Sequence, residues 1–280
     1  MRAFLVGLQF LTRIHVVRQD DLQPIDFSKS VRYFPLVGLL LGVCYAILAW
    51  CIDLWMPRLG LYVPENAAAF LLASSMILLT GGIHCDGLMD TLDGILSGRS
   101  RERMLEIMKD SRVGTYGIVG FVLFFFAEYV LLLDMGSGLL RILALFFAPY
   151  IARVMLVFAI CAFPYARPEG MGKAFCEGGT KRVLLSAFLF LPLVFFLGIY
   201  VFSWLLLPNF HHVLVMWMLS WGTVSLLILL SVTAMTYFFC RHVSKLLGGL
   251  TGDVYGATVM LSELLTLALF LLLPRGTVLF

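Results

Sequence analysis

Leu140-Arg-Ile-Leu-Ala-Leu-Phe-Phe-Ala-Pro-Tyr-Ile-Ala-Arg-Val-Met-Leu-Val-Phe-Ala-Ile-Cys-Ala-Phe163 decides the fold class of this chain. It is long and apolar enough to cross the roughly 30 Å of bilayer hydrocarbon as one helix. Working outward, runs at 34–57, 66–82, 114–133, 183–207, 213–239 and 256–273 meet the same criterion, the second being the shortest. Composition agrees: 61% of the 280 residues are hydrophobic and 13% charged, against about half and a quarter in soluble domains. No repeat, low-complexity tract or polar linker divides the chain. The expectation is an all-α, polytopic integral membrane helical bundle of about seven transmembrane helices, forming one domain over 1–280.

Cation placement orients it. Arg2, Arg13, Arg18, Lys29 and Arg32 precede the first span, and Arg99, Arg101, Arg103, Lys109 and Arg112 lie between the second and third. Arg167, Lys173, Lys181 and Arg182 follow the fourth, and Arg241 and Lys245 the sixth. Sixteen of the twenty Lys and Arg thus fall on one side, leaving Arg58, Arg141 and Arg275 on the other and Arg153 within a span. The positive-inside rule makes the rich side cytoplasmic. Met1 to Val17 is not read as a cleaved leader, because Gln9 interrupts its apolar stretch and Thr12-Arg13 stand where small residues belong. It reads as a helix at the interface, burying Phe4, Leu5, Leu8 and Leu11. The six cysteines lack a Cys-x-x-Cys spacing and read as reduced, buried apolar groups.

The chemistry concentrates at Gly81-Gly-Ile-His-Cys-Asp-Gly-Leu-Met-Asp-Thr-Leu-Asp-Gly94. Asp90 and Asp93, at i+4 and i+7, fall within about 40° of Asp86 around a helix axis, so one face carries all three. Such carboxylates repel one another unless a cation sits between them. Hard oxygen donors without a thiolate or His pair suit Mg²⁺, which keeps positions open for phosphates. The alternative is an acidic solvated helix face. Gly81-Gly82 breaks the second span, and a helix restarts near His84, which is a candidate ligand, base or cap. Lys109, Asp110 and Arg112 beside Gly114 suggest an anion cradle, or else ordinary positive-inside charge. Gly248-Gly-Leu-Thr-Gly-Asp-Val-Tyr-Gly-Ala257 suggests close backbone approach to a ligand at Gly252, with Asp253 a further carboxylate; a plain glycine turn is the other reading. The loop 164–182 adds Arg167 with a weaker signal. Glu128, Arg153 and Glu263 lie inside spans and need partners, so Arg153 is expected to pair with Glu128 or Glu263.

Five blocks carry a resemblance. They are 81–94, Ile107-Met-Lys-Asp-Ser-Arg-Val-Gly-Thr-Tyr-Gly117, Gly249-Leu-Thr-Gly-Asp-Val-Tyr-Gly-Ala257, Phe10-Leu-Thr-Arg-Ile14 and Tyr33-Phe-Pro-Leu-Val-Gly38. In that content and order the chain resembles the cobalamin synthase family of adenosylcobinamide-GDP ribazoletransferases. Cys85, Met89 and Leu92 depart from the family pattern, all off the carboxylate face. The resemblance implies a multi-pass inner-membrane enzyme that needs Mg²⁺. It would join α-ribazole, or its 5′-phosphate, to adenosylcobinamide-GDP and release GMP. On this basis Asp86, Asp90 and Asp93 are expected to hold metal. Lys109, Arg112, Gly114 and Gly252 would bind substrate, and His84, Asp110 and Asp253 are the catalytic candidates, with His84 or Asp253 taking the hydroxyl proton. Membrane lipid and a homo-oligomeric assembly are further expected partners, and nucleic acid is not. Two rival readings are a CDP-alcohol phosphatidyltransferase and a cation-coupled transporter. The first matches Asp90-Thr-Leu-Asp-Gly94 but lacks its later aspartates. The second would place carboxylates at the bilayer midplane.

Overall fold

The computed structural model describes residues 1–18, 22–206 and 214–272. These form α1 (Arg2–Leu11), α2 (Pro24–Ser30), α3 (Phe34–Trp50), α4 (Met56–Arg58), α5 (Glu65–Thr80), α6 (Ile83–Leu96) and α7 (Arg101–Ile107). There follow α8 (Thr115–Met135), α9 (Leu139–Ala162), α10 (Met171–Gly178), α11 (Lys181–Leu206), α12 (Leu214–Leu247) and α13 (Gly252–Leu271). Among the described residues the sole β feature is an isolated bridge between Tyr165 and Leu250. Six helical stretches are long and apolar enough to cross a membrane, and α5 with α6 makes a seventh candidate bent by 90°. The expected spans are therefore found, although residues 207, 213 and 273 at their bounds, and Arg275, lie outside the described residues.

A helix that is apolar on every side belongs in the middle of a bundle. Accordingly 20 of the 24 residues of α9 are buried. α3, α11 and α13 pack on it. Gly38 and Gly42 let α3 approach backbone to backbone, since a Cβ at either would strike the carbonyl of Pro149 or Phe146. α11 and α12 instead expose large aliphatic side chains such as Leu185, Leu189, Leu193, Leu226 and Leu230. That surface is tolerable in hydrocarbon and costly in water.

At the end of the bundle away from the cation-rich loops, Arg141 is fully buried. Its Nε donates to Asp53 Oδ2 at 3.0 Å and its Nη1 to Glu65 Oε2 at 3.0 Å. Asp53 sits in a π-helical turn, Cys51–Trp55, that continues α3. It also accepts from the Gly138 N–H at 3.1 Å, so one ion cluster ties together the ends of α3, α5 and α9. Arg141→Met would leave Asp53 buried without its cation. We expect a loss of about 3–5 kcal/mol, read as a lower Tm in detergent, with activity per folded molecule preserved.

At the cation-rich end α5 stops because Gly81 (φ 68°) and Gly82 (φ 75°) both adopt the left-handed conformation that other residues resist. The Arg13 N–H donates to the Leu79 carbonyl at 3.0 Å, fastening the N-terminal segment to this corner. α6 then leaves the α5 axis at a right angle, beyond the expected span 66–82, and packs between α8 and α13. α1 differs in part from expectation. Leu8 and Leu11 are buried as anticipated, but Val6 and Gly7 are too, while Phe4 and Leu5 are half-buried. The reason is that its inner face packs on α2 and α3 rather than on lipid alone. The cysteines form no disulfides, yet only Cys85 and Cys240 are buried; Cys44 is exposed and the other three are intermediate.

Candidate active site

α6 is seated by close approach. A Cβ at Gly87 would lie 2.7 Å from the Asp253 carbonyl oxygen, so only glycine lets α6 cross the start of α13 here. This crossing brings the two aspartate-bearing motifs together. A second device places the loop after α9: the Ala166 N–H donates to the Leu250 carbonyl, and the Leu250 N–H to the Pro164 carbonyl, each at 2.8 Å. That bridge carries Arg167 to Asp253, where Nη2 donates to Oδ2 at 3.1 Å. Thr251 caps α13 and its hydroxyl also donates to Asp253 Oδ2 at 3.1 Å.

Between these elements lies a cavity of about 390 Å³. His84, Asp86, Arg167, Gly252 and Asp253 line its polar end. Asp86 is exposed and Asp90, one turn on, is half-buried. Among the described residues neither carboxylate has a hydrogen-bond or ion-pair partner. Burial, then the charges of Asp86, Asp253 and Asp93, push Asp90 up to about 7, with Arg167 opposing. The site therefore holds more negative charge than its own cations balance.

Asp93, the third member of the stripe, is differently employed. Its Oδ2 accepts from the Gly114 N–H at 2.7 Å and its Oδ1 from the Gly117 N–H at 2.9 Å. These are backbone donors at the start of α8, which has no partner for them within the helix. Asp93 thus anchors α8 to α6. Among the described residues no three His, Cys, Asp or Glu side chains already converge as a metal cage.

His84 is buried, and its Nε2 lies 3.1 Å from Arg153 Nη2. A guanidinium can only donate, so Nε2 is the acceptor and the ring is neutral with its proton on Nδ1. Burial first, and Arg153 second, hold its pKa well below the ordinary imidazole range. Arg153 pairs with Glu263, settling the choice left open between two acids. Glu128 is buried but makes no ion pair with Arg153, and its Oε2 has no partner among the described residues.

Lys109, Asp110 and Arg112 do not enter the cavity. Arg112 is 87% exposed and is paired with Asp110 at 2.7 Å. That pairing holds Asp110 down at about 2, so it is a weak base at neutral pH. Their loop still adjoins the site: Gly114 binds Asp93, and Arg167 Nη2 donates to the Met108 carbonyl at 3.5 Å. The residues that sequence reading undervalued are Arg167 and the cavity's aromatic lining. Arg167 was visible only as one cation in a glycine-rich loop, and its signal is the bridge to Leu250, which is not local in sequence.

Comparison with known proteins accords with this arrangement. Residues 3–271 match the family model described as cobalamin-5-phosphate synthase. An adenosylcobinamide-GDP ribazoletransferase of Desulfitobacterium hafniense is 41% identical over 270 residues, covering 95% of each chain. Proteins of the same name from Clostridioides difficile and Fusobacterium nucleatum are 35% and 32% identical over 279 residues, covering 98% of each chain. No solved structure matches. With the motif-bearing helices and nearly the full length matched, this chain belongs to the cobalamin-5-phosphate synthase family.

Proposed function

We propose that the polar end of the cavity carries out ribazole transfer in cobalamin biosynthesis. A hydroxyl of α-ribazole, or of its 5′-phosphate, attacks the cobinamide-side phosphorus of adenosylcobinamide-GDP. One P–O bond forms, the P–O bond to GMP breaks, and the hydroxyl proton passes to the protein. The carrying observation is the pair Asp86 and Asp90, which share a helix face beside Arg167 and Asp253 and lack a protein cation.

That donor set suits a hard divalent ion. Mg²⁺ commonly takes one or two carboxylates and fills its remaining positions with water and substrate phosphates. Asp86 and Asp90 would hold it, with Asp93 left to fasten α8. When bound, Mg²⁺ supplies charge neutralisation on the diphosphate. The protein's own part is positioning. α6 acts as a ruler: Asp86 lines the cavity, and Asp93, about 10 Å further along at 1.5 Å per residue, meets the 108–114 loop. The acceptor therefore enters at the Asp86 end. The GMP portion lies at the Asp93 end, where Lys109 and Arg112 offset its charge and Gly114 shapes the loop. Entering and leaving oxygens thus stand on opposite sides of the phosphorus. Asp253, on the cavity wall, is assigned the hydroxyl proton, because the His84 Nε2 lone pair is engaged by Arg153. His84 offers Nδ1–H as a donor. Asp110 holds Arg112.

The cation asymmetry supports a cytosolic site in the inner membrane. Lipid would cover the apolar faces of α11 and α12. The test is GMP release and cobalamin formation by membranes carrying this chain, given both substrates. Activity is expected with Mg²⁺ and its loss with excess EDTA, restored by added Mg²⁺. Undiminished activity after chelation would overturn the metal assignment, and absence of product under all conditions would overturn the reaction.

A further inference from the structure

The same cavity has a second, apolar end. Phe10 from α1, Phe34 from α3 and Phe175 from α10 form one wall, closed by Leu156 and Ile160 of α9. The Phe10 and Phe175 rings lie 4.7 Å apart and the Phe34 and Phe175 rings 5.4 Å apart, tilted and edge-on as aromatic pairs prefer. Tyr255 also lines the cavity, its ring 6.4 Å from that of Tyr165, another lining residue.

Resting on the reaction assigned above, we propose that this aromatic end binds the planar base of the acceptor nucleoside, with Asp86 and Asp253 facing its ribose. Size makes the first choice between the substrates. A cavity of about 390 Å³ is at the small end of ligand pockets and encloses a nucleoside, not a corrinoid. Polarity makes the second. Guanine, the other base present in the reaction, carries several donors and acceptors on its edge. Burying these against Phe10, Phe34 and Phe175 would leave most of them unpaired, at a cost of about 1–3 kcal/mol each. The benzimidazole of ribazole has one free ring nitrogen and is otherwise apolar, so burying it there leaves at most one acceptor unpaired. The guanosine is thus left to the open, cation-bearing side of α6.

Two variants test this. Phe175→Leu keeps an apolar side chain but removes the ring face, so its Tm should change little while KM for α-ribazole rises about fivefold, the worth of one aromatic contact. KM for adenosylcobinamide-GDP should stay within twofold. Phe175→Ala should raise the acceptor KM further. A rise in KM for adenosylcobinamide-GDP alone would place guanosine in the cavity and overturn the proposal. Unchanged KM for both substrates in Phe175→Leu would overturn it as well, making the aromatic wall ordinary core. Both results presuppose an active parent enzyme, so they are distinct from failure of the reaction itself, which the unsubstituted chain would reveal.

Discussion

Asp90→Asn is expected to lower kcat about a thousandfold while leaving the protein as stable as before. The size follows from the charge that Asp90 supplies. Metal-held charge compensation is worth several kcal/mol at the transition state, and about 4 kcal/mol corresponds to three powers of ten in rate. The sparing of stability follows from the absence of any protein partner. Among the described residues Asp90 makes no hydrogen bond or ion pair, and burial and its acidic neighbours already disfavour its charge. Removing that charge costs the fold nothing and relieves repulsion from Asp86. Melting curves separate this from general damage. The unsubstituted protein should gain stability as Mg²⁺ is added, because a ligand that binds only the folded state raises Tm. The Asn variant should gain little. Near-normal turnover in the well-folded variant, or an equal Mg²⁺ response in both proteins, would refute the role of Asp90. Asp93→Asn should behave differently, with a lower Tm even without metal, since Asp93 binds the Gly114 and Gly117 amides.

That contrast shows where sequence reading reaches and where it stops. The crossing helices were legible because hydrophobic length is a local property, and the corner before α6 because Gly81 and Gly82 announce it. The alignment of Asp86, Asp90 and Asp93 follows from helical periodicity alone. Their division of labour does not, since it depends on α8 arriving with two unpaired amides from residues more than twenty positions away. Arg167 meets Asp253 across 86 residues through a two-bond bridge that no periodicity encodes. The aromatic wall likewise takes Phe10, Phe34 and Phe175 from three helices, each reading separately as an apolar position. Lys109 and Arg112 show the converse: loop chemistry marks them as phosphate-binding candidates, and their short loop keeps them at the surface, beside rather than inside the cavity.

Arg153→Met is expected to damage both stability and catalysis, by separable routes. Arg153 is wholly buried in α9 and spans two partners, Glu263 in α13 and His84 in α6. Removing it leaves Glu263 buried and unpaired, a loss of about 3–5 kcal/mol that should lower Tm sharply. It also releases the His84 ring, whose orientation depends on the bond to Nε2. The double variant Arg153→Met with Glu263→Leu removes the orphaned charge and should recover much of the lost Tm, since contacting residues couple rather than add. If the pair also positions His84, kcat will stay low in this restabilised protein. Arg153→Lys provides the fold-competent comparison: an ammonium can still face Glu263, but lacks the planar fork that reaches both partners at once. It should melt near the parent temperature and turn over slowly, with KM for both substrates little changed. Recovery of kcat in step with Tm across the three variants would reduce Arg153 to a structural strut, whereas low kcat at restored Tm identifies the buried chain from Glu263 through Arg153 as the support that aims His84 into the cavity.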